Sequence, residues 1–174
     1  MNLVTRIAGT VAIVVAAFAV DQLTKAWALS YLGATREIDL AMGASLRLVF
    51  NPGVAFGIGA DAGAPLVVGI IVLTTALLVW IFVRVVRRRS AAATALLAIA
   101  AGGALGNVWD RITRAGDAPL TGHVVDFIAI DWFAVFNVAD IFTTLGVIGW
   151  AVLFLFRNNT ETTSNSGAES APLS

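Results

Sequence analysis

The chain has 174 residues, of which 59% are hydrophobic, and a mean hydropathy of +0.88, which lies outside the range of soluble globular domains and identifies a membrane protein of one compact domain. Its 11 basic and 11 acidic residues cancel, so the total charge points to no nucleic acid or acidic partner. The absence of cysteine excludes disulfides, thiolate metal sites and cysteine nucleophiles.

A spanning helix needs roughly 20 mainly apolar residues to cross about 30 Å of hydrocarbon. Four stretches meet this: 4–27, 64–86, 91–109 and 133–156. The first carries only Arg6 before its apolar run and no clear A-x-A site after it, so a retained span is expected rather than a cleaved signal peptide. Asp21 and Lys25, spaced i, i+4, can pair near its end. That pair reads either as an anchor, with Lys25 snorkelling to the interface, or as a support for substrate or site.

Between the first two spans, Arg36 to Leu40 and Leu46 to Phe50 partly alternate around a turn at Gly43, which predicts a small antiparallel sheet on the membrane surface. Asn51-Pro52-Gly53-Val54-Ala55-Phe56-Gly57 follows, broken by Pro and Gly. Irregular backbone at this depth lines a cavity or is buried in protein, and Asn51 can donate to a substrate carbonyl or a carboxylate, or simply form an Asx turn.

Arg84, Arg87, Arg88 and Arg89 lie between the second and third spans, and the positive-inside rule puts them in the cytoplasm. Both termini then become cytoplasmic, and nine of the eleven acids fall at or beyond the outer face. The third span is rich in Ala and Gly, which suits a central helix approached closely by its neighbours. At its outer end Asn107, Asp110 and Arg111 share a face, and Asp110 beside Arg111 suits a structural salt bridge.

Asp126, flanked by Val125 and Phe127, enters from the next loop, and Asp140 sits about two turns into the fourth span with Asn137 on the same face. One continuous helix would hold the two aspartates about 21 Å apart, so they meet only if the chain turns back near Asp131-Trp132. Two carboxyl groups sharing a site would hold one proton between them, the arrangement of an aspartic peptidase. A proton relay in a small transporter or channel, or helix-packing hydrogen bonds, could use the same residues. A metal site from His123, Asp117 and Asp126 has a poor ligand set, and a serine peptidase lacks its histidine partner. From residue 158 the composition turns to Asn, Thr, Ser, Glu and Gly, which predicts a disordered tail, 158–174, after a membrane domain of 1–157.

Together DQLTK (21–25), NPGVAFG (51–57), GGALGNVWDR (102–111), VVDF (124–127) and FNVAD (136–140) resemble, in order and spacing, the lipoprotein signal peptidase (signal peptidase II) family. The resemblance covers nearly the whole chain apart from the tail. It implies an all-α fold of four transmembrane helices with a small extracytoplasmic sheet between helices 1 and 2. It also implies a bacterial inner-membrane aspartic endopeptidase that cuts prolipoproteins just before a diacylglyceryl-modified cysteine. Its partners would be these substrates and membrane lipid, with no cofactor and no metal. The catalytic dyad maps to Asp126 and Asp140, and the supporting positions to Asp21, Lys25, Asn51, Gly53, Asn107, Asp110, Arg111 and Asn137. The stretch Thr113 to Gly122 looks longer than the family's compact connection.

Overall fold

In the computed structural model, residues 2–33, 36–54, 58–116 and 118–168 are described, with side chains to Phe156. Four helices, α1 (Leu3–Tyr31), α2 (Ala64–Val86), α3 (Ala91–Thr113) and α4 (Val138–Ala168), are each long and apolar enough to cross a membrane. α2 matches the expected span, whereas α1 and α3 each run about one turn further toward the sheet than their hydropathy suggests, carrying polar groups with them. The backbone of α4 stays helical to Ala168, into the segment whose composition predicts disorder. Extending a formed helix needs no new nucleus, which accounts for the difference.

α3 is the central helix. Within the most apolar window of each span, 56% of α3 is buried, against 6% of α1, 17% of α2 and 11% of α4. Its glycines explain how the neighbours come so close: a Cβ on Gly102 would lie 2.5 Å from Ala17 Cβ on α1, and one on Gly103 2.4 Å from the Ala139 carbonyl oxygen on α4. Consecutive small residues thus open α3 to a helix on each side.

The sheet is larger than the sequence suggests. β1 (Ile38–Asp39) and β2 (Ala44–Asn51) form the expected hairpin, but β3 (Val124–Ile130) and β4 (Val135–Phe136) join it in the order β1-β2-β3-β4, all antiparallel. The fourth span therefore begins at Val138 rather than 133, because 133–137 are spent closing the β3–β4 turn and capping the helix. Phe127 from β3 packs with Ala28 and Leu32 at the end of α1, joined by Leu46, Leu48 and Val138. Burying side chains such as Leu32 and Phe127 contributes about 1.5–3 kcal/mol each, which docks the sheet on the helix ends.

One irregularity in the β2–β3 ladder matters for the site. Leu46 faces Ile128 but Val49 faces Asp126, so β2 carries one extra residue. A one-residue shift moves every later side chain to the other face. It places Asn51, opposite Val124, on the same face as Asp126.

Candidate active site

The chain does turn back at Asp131-Trp132: Phe133 N donates to Ile130 O at 2.9 Å and Ile130 N to Ala134 O at 3.0 Å. This brings the loop-borne Asp126, now seen to lie on β3, to the start of α4. Asp140 is in the first turn of α4, not two turns in. Asn137 precedes the helix and caps it reciprocally: Asp140 N donates to Asn137 Oδ1 and Asn137 N to Asp140 Oδ2, both at 3.1 Å. The N-x-x-D spacing produces this box because residues three apart at a helix start can each satisfy the other's free amide.

Asn137 also joins the two aspartates. Its Nδ2 donates to Asp126 Oδ1 at 2.7 Å and to Asn107 Oδ1 at 3.1 Å, while its main-chain N–H is on Asp140. Asn107 Nδ2 donates to Asp140 Oδ1 at 2.8 Å. Asn51 Nδ2 donates to Asp126 Oδ2 at 2.9 Å, the diagonal cross-strand contact that the bulge makes possible. Asn51 Oδ1 in turn accepts from Gly53 N, so the Asx turn and the carboxylate contact coexist.

Asp126 is buried at 2% exposure. Burial is the main reason its pKa rises, to about 6, and the charge of Asp140 adds to it, while the hydrogen bonds from Asn51 and Asn137 pull the other way.

Below the pair lies a buried ion network. Lys25 is fully buried, so it does not snorkel. Its ammonium has three N–H donors and three acceptors: Asp21 Oδ2 at 2.9 Å, Asp110 Oδ2 at 3.1 Å and Asn107 Oδ1 at 2.8 Å. Asp21 Oδ1 accepts from Ala139 N, and Asp110 Oδ2 from Val125 N. Asp110 pairs with Lys25 and Arg114, not with Arg111 as adjacency suggests, because neighbours in a helix point in different directions. Arg111 reaches the Gly53 and Asn107 carbonyl oxygens instead, tying the irregular stretch after β2 to α3.

Every supporting residue expected from the sequence is therefore in this cluster, with Ala55, Phe56, Gly57 and Asp117 outside the described residues. Sequence reasoning included Gln22 in the first motif without a role, though it donates to Asp21 Oδ2 and the Gly106 carbonyl, and it missed Gly122, where a Cβ would lie 2.6 Å from the Arg111 carbonyl oxygen. Gly106 was legible only as a packing residue, yet its missing Cβ makes room for the Asp21 carboxylate. Among the described residues, the buried charged side chains Asp21, Lys25, Asp110, Arg111 and Asp126 all belong to the cluster, at the sheet-bearing end of the helices. Among the same residues, no three His, Asp or Glu side chains are arranged to hold a metal.

The signal peptidase (SPase) II family model matches residues 13–156. A lipoprotein signal peptidase of Bifidobacterium adolescentis is 43% identical over 152 residues, which are 87% of this chain and 78% of the relative. One from Rhodococcus jostii is 39% identical over 79% of this chain and 67% of its own length. One from Pseudoalteromonas atlantica is 33% identical over 83% and 87% respectively. A bacterial membrane enzyme solved in meso at 2.3 Å resolution shares the fold with a TM-score of 0.70 at 23% identity, over 89% of this chain and 92% of that one. Another, solved at 1.9 Å, has a TM-score of 0.66 at 25% identity, over 86% and 93%. The four-helix architecture, the buried carboxyl cluster and these matches converge: the chain is a multi-pass bacterial membrane protein that belongs to the signal peptidase II family.

Proposed function

We propose that the chain is an aspartic endopeptidase that removes the signal peptide from diacylglyceryl-modified prolipoproteins, cutting before the lipidated cysteine, with Asp126 and Asp140 as the catalytic pair. The observation that carries this reading is Asn137, which holds Asp126 through its side chain and Asp140 through its main chain. Lipoprotein signal peptidases among the relatives supply the substrate class.

Charge balance supports a shared proton. Lys25, Arg111 and Arg114 face four carboxyl groups, Asp21, Asp110, Asp126 and Asp140, so one proton on the pair leaves the cluster neutral. The ionised member takes a proton from a water molecule, whose oxygen bonds to the scissile carbonyl carbon. The protonated member gives its proton to the carbonyl oxygen. Collapse of the tetrahedral intermediate breaks the C–N bond, with proton transfer to the leaving nitrogen, and the pair returns to one proton. Asn51, Asn107 and Asn137 fix the carboxyl groups before the substrate arrives, so reorganisation during reaction is small. A membrane-embedded site suits this substrate, because the acyl chains keep the cleavable bond beside the bilayer.

The test is cleavage of a lipid-modified prolipoprotein by the purified, reconstituted protein. Asp126→Asn and Asp140→Asn should each lower the rate by orders of magnitude, chelator should leave it unchanged, and truncation after Arg157 should keep it. Turnover retained in both variants removes the pair, and chelator sensitivity points to a metal. The positive-inside rule, applied to the arginine-rich α2–α3 connection to which Arg6 is tied through the Arg89 carbonyl, supports cytoplasmic termini. A reporter fused after Arg89 should be cytoplasmic and one inserted at Gly116 external, and the opposite result overturns the orientation.

A further inference from the structure

Two turns at the free end of the sheet show apolar side chains away from the protein. Met42, in the β1–β2 turn, is 95% exposed, and Trp132, in the β3–β4 turn, is 79% exposed, with Leu40 and Phe133 each about half exposed. The turns are stitched together, since Asp131 N donates to Gly43 O at 3.0 Å. Met42 also has a left-handed backbone, φ 63°, a conformation that an unbranched residue adopts at some cost. A soluble surface gains nothing from such a tip.

The neighbouring phase is the bilayer. Trp132 lies six residues before Val138, the first residue of α4, so it is within about 20 Å of a membrane span even when fully extended. Five residues earlier, on β3, Phe127 packs edge-on against Trp27, 6.2 Å between ring centres, and Trp27 stacks on Tyr31 at the end of α1. Arg36 lies over the Tyr31 ring. Trp, Tyr and a cation at a helix end mark the headgroup level, so β3 rests at that level and its tip extends from it.

We propose that the paired turns Leu40 to Gly43 and Asp131 to Phe133 insert into the headgroup region of the adjoining leaflet and hold the sheet, with Asp126 on it, at a set depth. Asp39 and Asp131 keep the tip from going deeper, because a carboxylate in the hydrocarbon is costly. The inference rests on the four-span membrane fold and requires no peptide cleavage, so its failure would leave the peptidase reading untouched.

The cysteine-free chain allows single nitroxide labels in the full protein reconstituted into nanodiscs. Labels at Met42→Cys and Trp132→Cys are compared with Leu73→Cys, on the lipid face of α2, and Asp61→Cys, in the exposed turn before it. Power saturation with oxygen and with a water-soluble nickel chelate reads the depth. The expected ratio of oxygen to chelate accessibility at 42 and 132 is several-fold above that at 61 and below that at 73. Adding Trp132→Asp to the Met42→Cys protein should move its label toward the value at 61. Ratios at 42 and 132 equal to that at 61 overturn the proposal. So does protection from both reagents that appears only with two copies per disc, which would make the tip a contact between chains.

Discussion

Asp21 accepts the main-chain N–H of Ala139 at 3.1 Å, so α1 holds the residue just before Asp140. Asp110 does the same for Val125, just before Asp126, at 3.2 Å. Lys25 sits between these two carboxylates and pairs with both, and Asp110 also pairs with Arg114. Removing it leaves the buried Asp21 without a cation and Asp110 with Arg114 alone, and breaking a buried ion pair from one side costs about 3–5 kcal/mol. Lys25→Met should therefore lower the thermal stability of the detergent-solubilised protein sharply. Asp21→Asn keeps an acceptor for Ala139 and should stay folded with reduced turnover, whereas Asp21→Ala should lose both. Equal stability of Lys25→Met and wild type would mean the network carries no structural weight.

The pH dependence follows from Asp126. With a pKa raised to about 6, it holds a proton in the native protein that the unfolded chain, at the ordinary value of 3.8, has released. Stability should thus fall as pH rises from about 4 to about 6, and Asp126→Asn should flatten that fall in melts across the window. In catalysis the shared proton leaves as pH climbs past the upper pKa of the pair, so kcat/KM of the free enzyme should decline on its alkaline side from about pH 6. Asn51→Leu removes a hydrogen bond that favours the ionised form, and should move that limb to higher pH while lowering the rate.

Glycine substitutions separate close packing from mere flexibility. A Cβ on Gly106 would stand 2.1 Å from Asp21 Oδ2, whereas one on Gly69, in α2, meets nothing within 4 Å. Gly106→Ala should cost about 1–3 kcal/mol through displacement of Asp21, with turnover falling alongside. Gly69→Ala should be neutral or slightly stabilising, as Ala favours helix by about 1 kcal/mol. The comparison is read from melting curves and initial rates of the two variants.

Much of the fold was legible because hydropathy registers span length directly: α2 was bounded to the residue, and the Ala and Gly content of α3 marked it as central. β3 and β4 were not legible. Buried on both faces, β3 reads as an apolar run broken only by Asp126, VVDFIAI, without the alternation that marks a strand, and it runs toward the next span. Asn51, Asn107 and Asn137 stood out as polar groups at membrane depth, but which atoms they meet depends on the bulge in β2 and the cap on α4. The partner of Asp110 was misread for the same reason, since Lys25 is 85 residues away in sequence and one hydrogen bond away in space.

The reciprocal cap between Asn137 and Asp140 makes one carboxyl group serve two masters: it closes the first turn of α4 and it is a proposed reagent. Any substrate atom that competes for Asp140 Oδ2 competes with the amide that starts the helix. Fraying of that turn and loss of the reacting geometry are consequently one event, and a ligand that tightens either must tighten both.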